Sequence, residues 1–312
     1  MNIQAFNWNN ILTDIVPELR KRGHLVEEHR NNTHPSGWEN FDVIIMWNES
    51  KATGAYEFIK KAKQAGKKTI LMQHGRRGTS RIFPPFKELP ISDLVCVWGE
   101  NDKQNLIEAG VSEEKIKITS SPIFSYLKSR VKHSGKNVVF VPEHWDKEVE
   151  ENLIIANQLK NVKGVNIITK CLENEHNISW YQNPVVSNRM QSNSLEIGAE
   201  VLSKADLLVS VSESTFELFA QILNIPVLIA DIWQPKACNG DDRYKEYKRI
   251  YSNACTREKN IFNIGNKIKE ILKNPDKLKN ERKNIAIKDG GINIQNPIKV
   301  ICDEIEKLCL NN

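Results

Sequence analysis

His74 closes an apolar run, Thr69-Ile70-Leu71-Met72-Gln73, and is followed at once by Gly75, Arg76 and Arg77. Glycine lets a backbone turn sharply, so this order sets an imidazole at the end of a strand with guanidinium groups behind it. An imidazole titrating near ~6.5 can take a proton from an attacking hydroxyl, and guanidinium groups pair with phosphate oxygens. The same residues also fit a polar strand end with two solvated arginines. His74 is the candidate base and Arg77 a candidate phosphate partner.

Two further stretches repeat the pattern of a strand that runs out into chemistry-bearing residues. In Val138-Val139-Phe140-Val141-Pro142-Glu143-His144-Trp145 the apolar run ends in a loop carrying His144, before a helix expected near Asp146. A simple loop capped by Asp146 explains it; so does an imidazole and a helix start beside a phosphate. In the stretch from Ala205 to Asp231 a strand runs into Ser212-Glu213-Ser214-Thr215 and then a helix with Glu217 in its first turn. Hydroxyls and free N–H groups at a helix start hold an anion without a charged side chain. Ser214 and Glu217, three apart, equally make a capping box.

These loops need a scaffold that ends strands beside helix starts. Short apolar runs alternate with helix-length amphipathic segments almost throughout, the pattern of a parallel sheet wrapped by helices. The expected strands of the first half are 3–6, 25–28, 43–47, 69–73, 94–98 and 116–119; those of the second are 138–141, 165–169, 185–187, 207–211 and 227–230. Helices are expected over 56–65, 102–109, 148–159, 195–202, 216–223 and 297–308, and near 11–19, where Pro17 should kink or delay the helix. From Glu258 onward the chain reads as helical. Polar residues and Gly135 break the pattern over Lys132–Lys136, which divides the chain into a Rossmann-like first domain, 1–132, and a second, 133–312, carrying the C-terminal helices. The expected class is α/β, two doubly wound domains whose strand ends face a cleft.

With 312 residues the chain has room for two such domains. Its 44 basic and 39 acidic residues are interleaved, for a net charge of +5, and no element gathers aromatic and basic side chains, which argues against nucleic acid as a partner. The slight basic excess suits a phosphorylated substrate or peripheral contact with an anionic membrane surface. Six scattered cysteines without a Cys-x-x-Cys pair point to reduced, packed thiols. The opening "MNIQAFNWNN" lacks a charged start before an apolar core, and no apolar run nears the ~18 residues of a membrane span. A cytoplasmic protein, peripheral at most to the inner membrane face, is expected.

The stretch "VWGENDKQNLIEAGVSEEKIKITSSPIFSYL" resembles the inter-domain passage of GT-B glycosyltransferase-like proteins. Gln73-His74-Gly75 resembles the His-Gly motif of CDP-glycerol glycerophosphotransferases and capsule-type transferases. Val141–Trp145 is similar to the segment those enzymes carry after the first strand of their second domain, and Ser212–Glu217 to their donor loop. The layout also resembles non-hydrolysing UDP-N-acetylglucosamine 2-epimerases. Here, however, "MQHGRRG" lacks the epimerase carboxylate, and the early Gly-Thr-Arg-Pro-Glu loop is replaced by "FNWNN". Lys170 in "IITKCLENEH" stands where the glycerophosphotransferase pattern has a His-Pro pair.

The resemblance implies a transferase acting on a nucleotide-activated sugar or polyol phosphate and a glycan or lipid-linked acceptor, in surface polysaccharide or glycoconjugate synthesis. It implies that the donor diphosphate rests on Ser212, Ser214 and Thr215, that Glu217 meets the ribose, and that Arg77, His144 or Lys170 neutralises the leaving group. The acceptor would enter beside Asn7, Trp8 and Asn9 and lose its proton to His74. No Asp-x-Asp pair follows a strand, and the acids of "GDDRYKEYKR" (240–249) read as a solvated loop, so neither metal nor cofactor is expected. An epimerase-like enzyme and a non-catalytic nucleotide-sugar binding module are the alternatives.

Overall fold

Several central strands are apolar runs, as in Val43–Met46, Leu94–Val97 and Val227–Ala230, because both of their faces are covered and no polar face is needed. The computed structural model describes residues 1–7, 12–29, 37–47, 49, 51, 54–75, 89–127, 136–142, 149–172, 178–187, 194–211, 215–230 and 254–310. These divide into two units, 1–125 with 287–312, and 126–286. Each holds a six-stranded parallel sheet with helices, a Rossmann-like unit of the α/β class.

In the first unit the strands are β1 (Asn2–Phe6), β2 (Leu25–His29), β3 (Val43–Met46), β4 (Lys68–Met72), β5 (Leu94–Val97) and β6 (Ile116–Ile118). They lie in the order β2-β1-β3-β4-β5-β6. The strand order reverses between β1 and β3, which pair as Ile3 with Val43 through Ala5 with Ile45. Helix α1 (Ile15–Lys21) follows β1. Pro17 falls in its first turn, where an N–H has no intrahelical acceptor, so it delays the helix and does not kink it. Helix α2 (Ala55–Gln64) sets Phe58, Ile59 and Ala62 against Phe6, Ile44 and Met46. Helix α3 (Glu100–Glu108) sets Leu106 against Leu71, Val95 and Val97.

The second unit holds β7 (Asn137–Val141), β8 (Asn166–Leu172), β9 (Pro184–Ser187), β10 (Leu207–Ser210), β11 (Val227–Ala230) and β12 (Thr256–Glu258). Its order, β12-β11-β10-β7-β8-β9, is the dinucleotide-binding order with its reversal between β7 and β10. Helices α4 (Val149–Lys160), α5 (Ser194–Ser203), α6 (Thr215–Ile222), α7 (Ile264–Lys273) and α8 (Lys279–Lys288) follow. Ile155, Leu159, Ile264 and Ile268 close one face over Val138, Phe140, Val209 and Leu228.

The structure departs from the sequence expectation in two places. A twelfth strand, β12, occurs just before the stretch expected to be helical, where no strand is expected; its residues, Thr-Arg-Glu, are half-buried at a sheet edge and carry no apolar signal. The C-terminal residues do not all belong with the second domain. Helix α9 (Pro297–Leu310) buries Ile301, Cys302 and Ile305 within the first unit. There Arg22, just past α1, donates to Asp303 Oδ1 at 2.8 Å and Glu306 Oε2 at 3.0 Å. His24 Nε2 lies 2.9 Å from Glu306 Oε1. An amphipathic pattern shows that α9 needs a cover but not which sheet supplies it.

The segment before α9 is fixed by close backbone approach. Gly291 has φ +59°, and a Cβ there would stand 2.2 Å from the Trp98 carbonyl oxygen. The Ser120 hydroxyl donates to Gly290 O at 2.7 Å. Among the described residues no disulfide forms, and four of the five cysteines are buried. Burial pushes the Cys96 thiol up to about 12.

Candidate functional site

In parallel sheets ligands gather at the carboxyl ends of the strands, above all where the strand order reverses. Each unit is therefore considered at that edge.

In the first unit β3 and β4 pair from Val43 with Lys68 to Met46 with Leu71. Trp47, directly after β3, meets His74 edge to face, with ring centroids 4.7 Å apart and planes at 77°. His74 is partly exposed while Gln73 and Gly75 on either side are buried. Arg77 lies outside the described residues. The turn that carries His74 is tied on all sides. Gln73 N–H donates to Cys96 O at 3.0 Å. Its side-chain oxygen accepts from Trp98 N–H at 2.8 Å, and its side-chain nitrogen donates to Asp102 Oδ2 at 2.9 Å. Trp98 Nε1 donates to Gln73 O at 3.0 Å.

Asn7, at the end of β1, is buried. Its Oδ1 accepts from Leu12 N–H and its Nδ2 donates to Glu28 Oε1, both at 2.7 Å, so the amide shapes the β1–α1 turn. Trp8 and Asn9 lie outside the described residues. Glu49, the acid past β3, accepts from Ile91 N–H at 2.7 Å and from the Ser92 hydroxyl. Burial pushes its carboxyl above the usual range against those bonds. It anchors the chain entering β5.

In the second unit β7 and β10 are neighbours, and Val141 pairs with Ser210 in register. The two loops singled out by sequence thus leave the sheet side by side at its reversal point. His144, Ser212 and Ser214 in those loops lie outside the described residues. Thr215 opens α6, partly exposed, and Glu217 in the first turn is fully buried. Lys170, one residue past the Phe140–Thr169 pair, is buried; its ammonium donates to Cys171 O at 2.9 Å and to the Ser187 hydroxyl at 2.6 Å. Those bonds hold it toward β9, a structural part beside the phosphate role that the resemblance implies.

A cavity of about 200 Å³ in the second unit is lined by Pro226, Val227, Thr256, Asn274 and Arg282. It opens at the strand starts, the opposite edge from the loops. Among the described residues no group of three or more His, Cys, Asp and Glu side chains could hold a metal ion. Nor is any helix long and apolar enough to cross a membrane.

No protein-family model and no curated protein matches the sequence. Solved structures do match the fold. The UDP-GlcNAc 2-epimerase of Neisseria meningitidis bound to UDP-GlcNAc is similar at TM-score 0.64 and 14% identity, over 100% of both chains. The wall teichoic acid polymerase TagF is similar at TM-score 0.64 and 13% identity, over 98% of this chain and 88% of its own. MnaA of S. aureus, solved with UDP, is similar at TM-score 0.65 and 10% identity, over 98% and 96%.

The chain has the GT-B fold. Within that fold His74 follows a strand and Thr215 and Glu217 open a helix, and the resemblance to both transferases and 2-epimerases is matched by structures of both kinds. Four residues around His74 were given no role of their own by sequence: Trp47, Gln73, Trp98 and Asp102. Two signals were available, a Trp directly after the β3 run and a Gln as the only polar residue closing the β4 run.

Proposed function

We propose that the protein is a metal-independent, inverting transferase that moves a sugar or polyol phosphate from a nucleotide-activated donor to the hydroxyl of a glycan or lipid-linked acceptor. The observation that carries this reading is His74: a partly exposed imidazole on a turn whose neighbours are buried and tied at the end of β4. In the reading, the α6 start holds the donor diphosphate through backbone N–H groups and the hydroxyls of Thr215, Ser212 and Ser214. Glu217 meets the ribose, and Arg77 and His144 balance the charge on the leaving nucleotide. The acceptor hydroxyl gives its proton to His74 while its oxygen bonds to the anomeric carbon from the face opposite the nucleotide. For a sugar the anomeric carbon–oxygen bond to phosphate breaks and the nucleoside diphosphate leaves with the electron pair; for a polyol phosphate the acceptor oxygen bonds to the phosphorus instead, the bridging P–O bond breaks and the nucleoside monophosphate leaves. The in-register exit of the loops after Val141 and Ser210 supports the donor half. The net positive charge is compatible with peripheral contact to an anionic inner membrane face and a role in surface polysaccharide or glycoconjugate synthesis.

The full-length likeness to a 2-epimerase favours a second reading, interconversion of a UDP-sugar and its 2-epimer. Against it stands "MQHGRRG", which offers no carboxylate to abstract a carbon-bound proton. Thermal stabilisation by UDP, GDP, CDP and CMP tests the shared premise, since a ligand at ~100 times its Kd adds ~2.7 kcal/mol. The matching nucleotide sugar is then incubated in D2O. Release of nucleotide supports the transferase, deuterium at C2 without release supports the epimerase, and binding without either supports a binding module. No stabilisation by any nucleotide overturns all three.

A further inference from the structure

Gln73 spends every polar group it has inside the protein. Its N–H donates to Cys96 O and its carbonyl accepts from the Trp98 indole, each at 3.0 Å. Its Oε1 accepts from Trp98 N–H at 2.8 Å. Its Nε2 donates to Asp102 Oδ2 at 2.9 Å and to Gly75 O at 3.3 Å. The three side chains are buried, and Trp98 is fixed further by an edge contact with Phe124 at 5.2 Å. Each polar group of Gln73 is thus engaged by the protein itself. Its bonds converge on the residues before and after His74.

The chemistry of position 73 is narrow. One end must accept an N–H and the other must donate to a carboxylate. Glutamate has no donor for Asp102 and would set a second acid against it, and an apolar residue would strand the Trp98 N–H and the Asp102 carboxylate in a dry site, where each unmade bond costs free energy. Asp102 sits in the first turn of α3, so the strap ties the β4 end to the start of the helix after β5.

We propose that Gln73, Trp98 and Asp102 are positioning residues: by clamping the backbone on both sides of His74 they aim its imidazole past the edge of Trp47. This rests on the reading of His74 as the base. Displacing a reacting group by ~1 Å can cost about 100-fold in rate, so Asp102→Ala should lower turnover 10- to 100-fold with little change in KM for the donor. Asp102→Asn keeps an acceptor for Gln73 Nε2 and should recover most of the loss.

The test uses nucleotide release from UDP-N-acetylglucosamine and from CDP-glycerol with water as acceptor, in the parent, Asp102→Ala, His74→Ala and the double variant. Residues that act as a unit are not additive, so Asp102→Ala should add nothing once His74 is gone. An equal factor in both backgrounds overturns the proposal and leaves the base intact. If His74→Ala alone keeps parent turnover, the base reading fails and the proposal falls with it. Should Asp102→Ala not fold, Gln73→Met carries the same expectations. A readout free of substrate is the His74 Cε1–H resonance, shifted by the ring current of Trp47. Loosening the strap should move it toward the free-histidine value, and an unmoved resonance in a folded variant overturns the proposal.

Discussion

Gly291→Ala should open the first unit far more than its single methyl suggests. At φ +59° an alanine meets the left-handed penalty of about 1–2 kcal/mol. Its Cβ would also stand 2.2 Å from the Trp98 carbonyl oxygen and 3.3 Å from the Ser120 Cβ. The first of these is backbone held in place by the Gln73 bonds, so relief requires moving the 289–291 segment. Overpacking of this kind costs about 1–3 kcal/mol, and the two together give about 2–5 kcal/mol. Gly23→Ala is the control, because Gly23 has φ +89° but nothing within 4 Å of the added methyl. It should cost only the backbone penalty. Hydrogen exchange followed by mass spectrometry reads the opening free energy of peptides from β5, β6 and α9 separately from the second unit. If Gly291→Ala loosens those peptides no more than Gly23→Ala, the close approach is not what fixes this segment.

His74→Ala should fold, bind nucleotide like the parent and lose turnover by about 10²–10⁴, and parent activity should fall with pH through the imidazole range, both read by nucleotide release. Near-parent turnover would move the search to the first unit's other acids, Asp14 just before α1 or Glu49, although Glu49 is already tied to Ile91 and Ser92. Glu217→Ala should weaken nucleotide binding by about 1–3 kcal/mol by calorimetry; unchanged affinity with lower stability would make Glu217 a helix-start residue only. Bonds from Lys299 and Arg22 hold the Asp303 carboxyl low, and the bond from His24 with the Arg22 charge does the same for Glu306. Groups held low stabilise above their unfolded pKa and lose that contribution as pH falls through the folded one. The opening free energy of α9, read from exchange after the intrinsic rate is divided out, should therefore fall below about pH 4, and Asp303→Asn with Glu306→Gln should flatten that acid limb; an unchanged limb would place the sensitivity elsewhere.

Eleven of the twelve described strands could be read from sequence, the clearest of them because a strand buried on both faces is a near-continuous apolar run, as in Val43–Met46 or Val227–Ala230. Thr256–Glu258 could not, since an edge strand packed by half-buried polar residues has no such run. The positions of His74 and Glu217 were legible for the same reason as the strands: each follows an apolar run, at a turn and in the first turn of a helix. The strap on His74 was not. Gln73 meets Trp98 and Asp102 across 25 and 29 residues, and that pairing exists only once β4 and β5 lie side by side. Lys170 and Asn7 show the converse limit. Their types suit a ligand, yet their polar ends bond to Ser187 and to Glu28, choices that depend on burial.

The placement of α9 has a consequence for how the chain assembles as it is made. The first unit is discontinuous: its last piece, 287–312, is separated from the rest by the whole of 126–286. At about 5–20 residues per second of synthesis, the apolar face of α1, with Ile15, Val16 and Leu19, waits roughly 15 to 60 seconds for α9. The second unit, contiguous in sequence, has everything it needs sooner. Nascent chains arrested before residue 287 should thus carry a protease-resistant second unit beside a first unit that is still cleaved near Arg22, and it is this incomplete species that chaperones would meet.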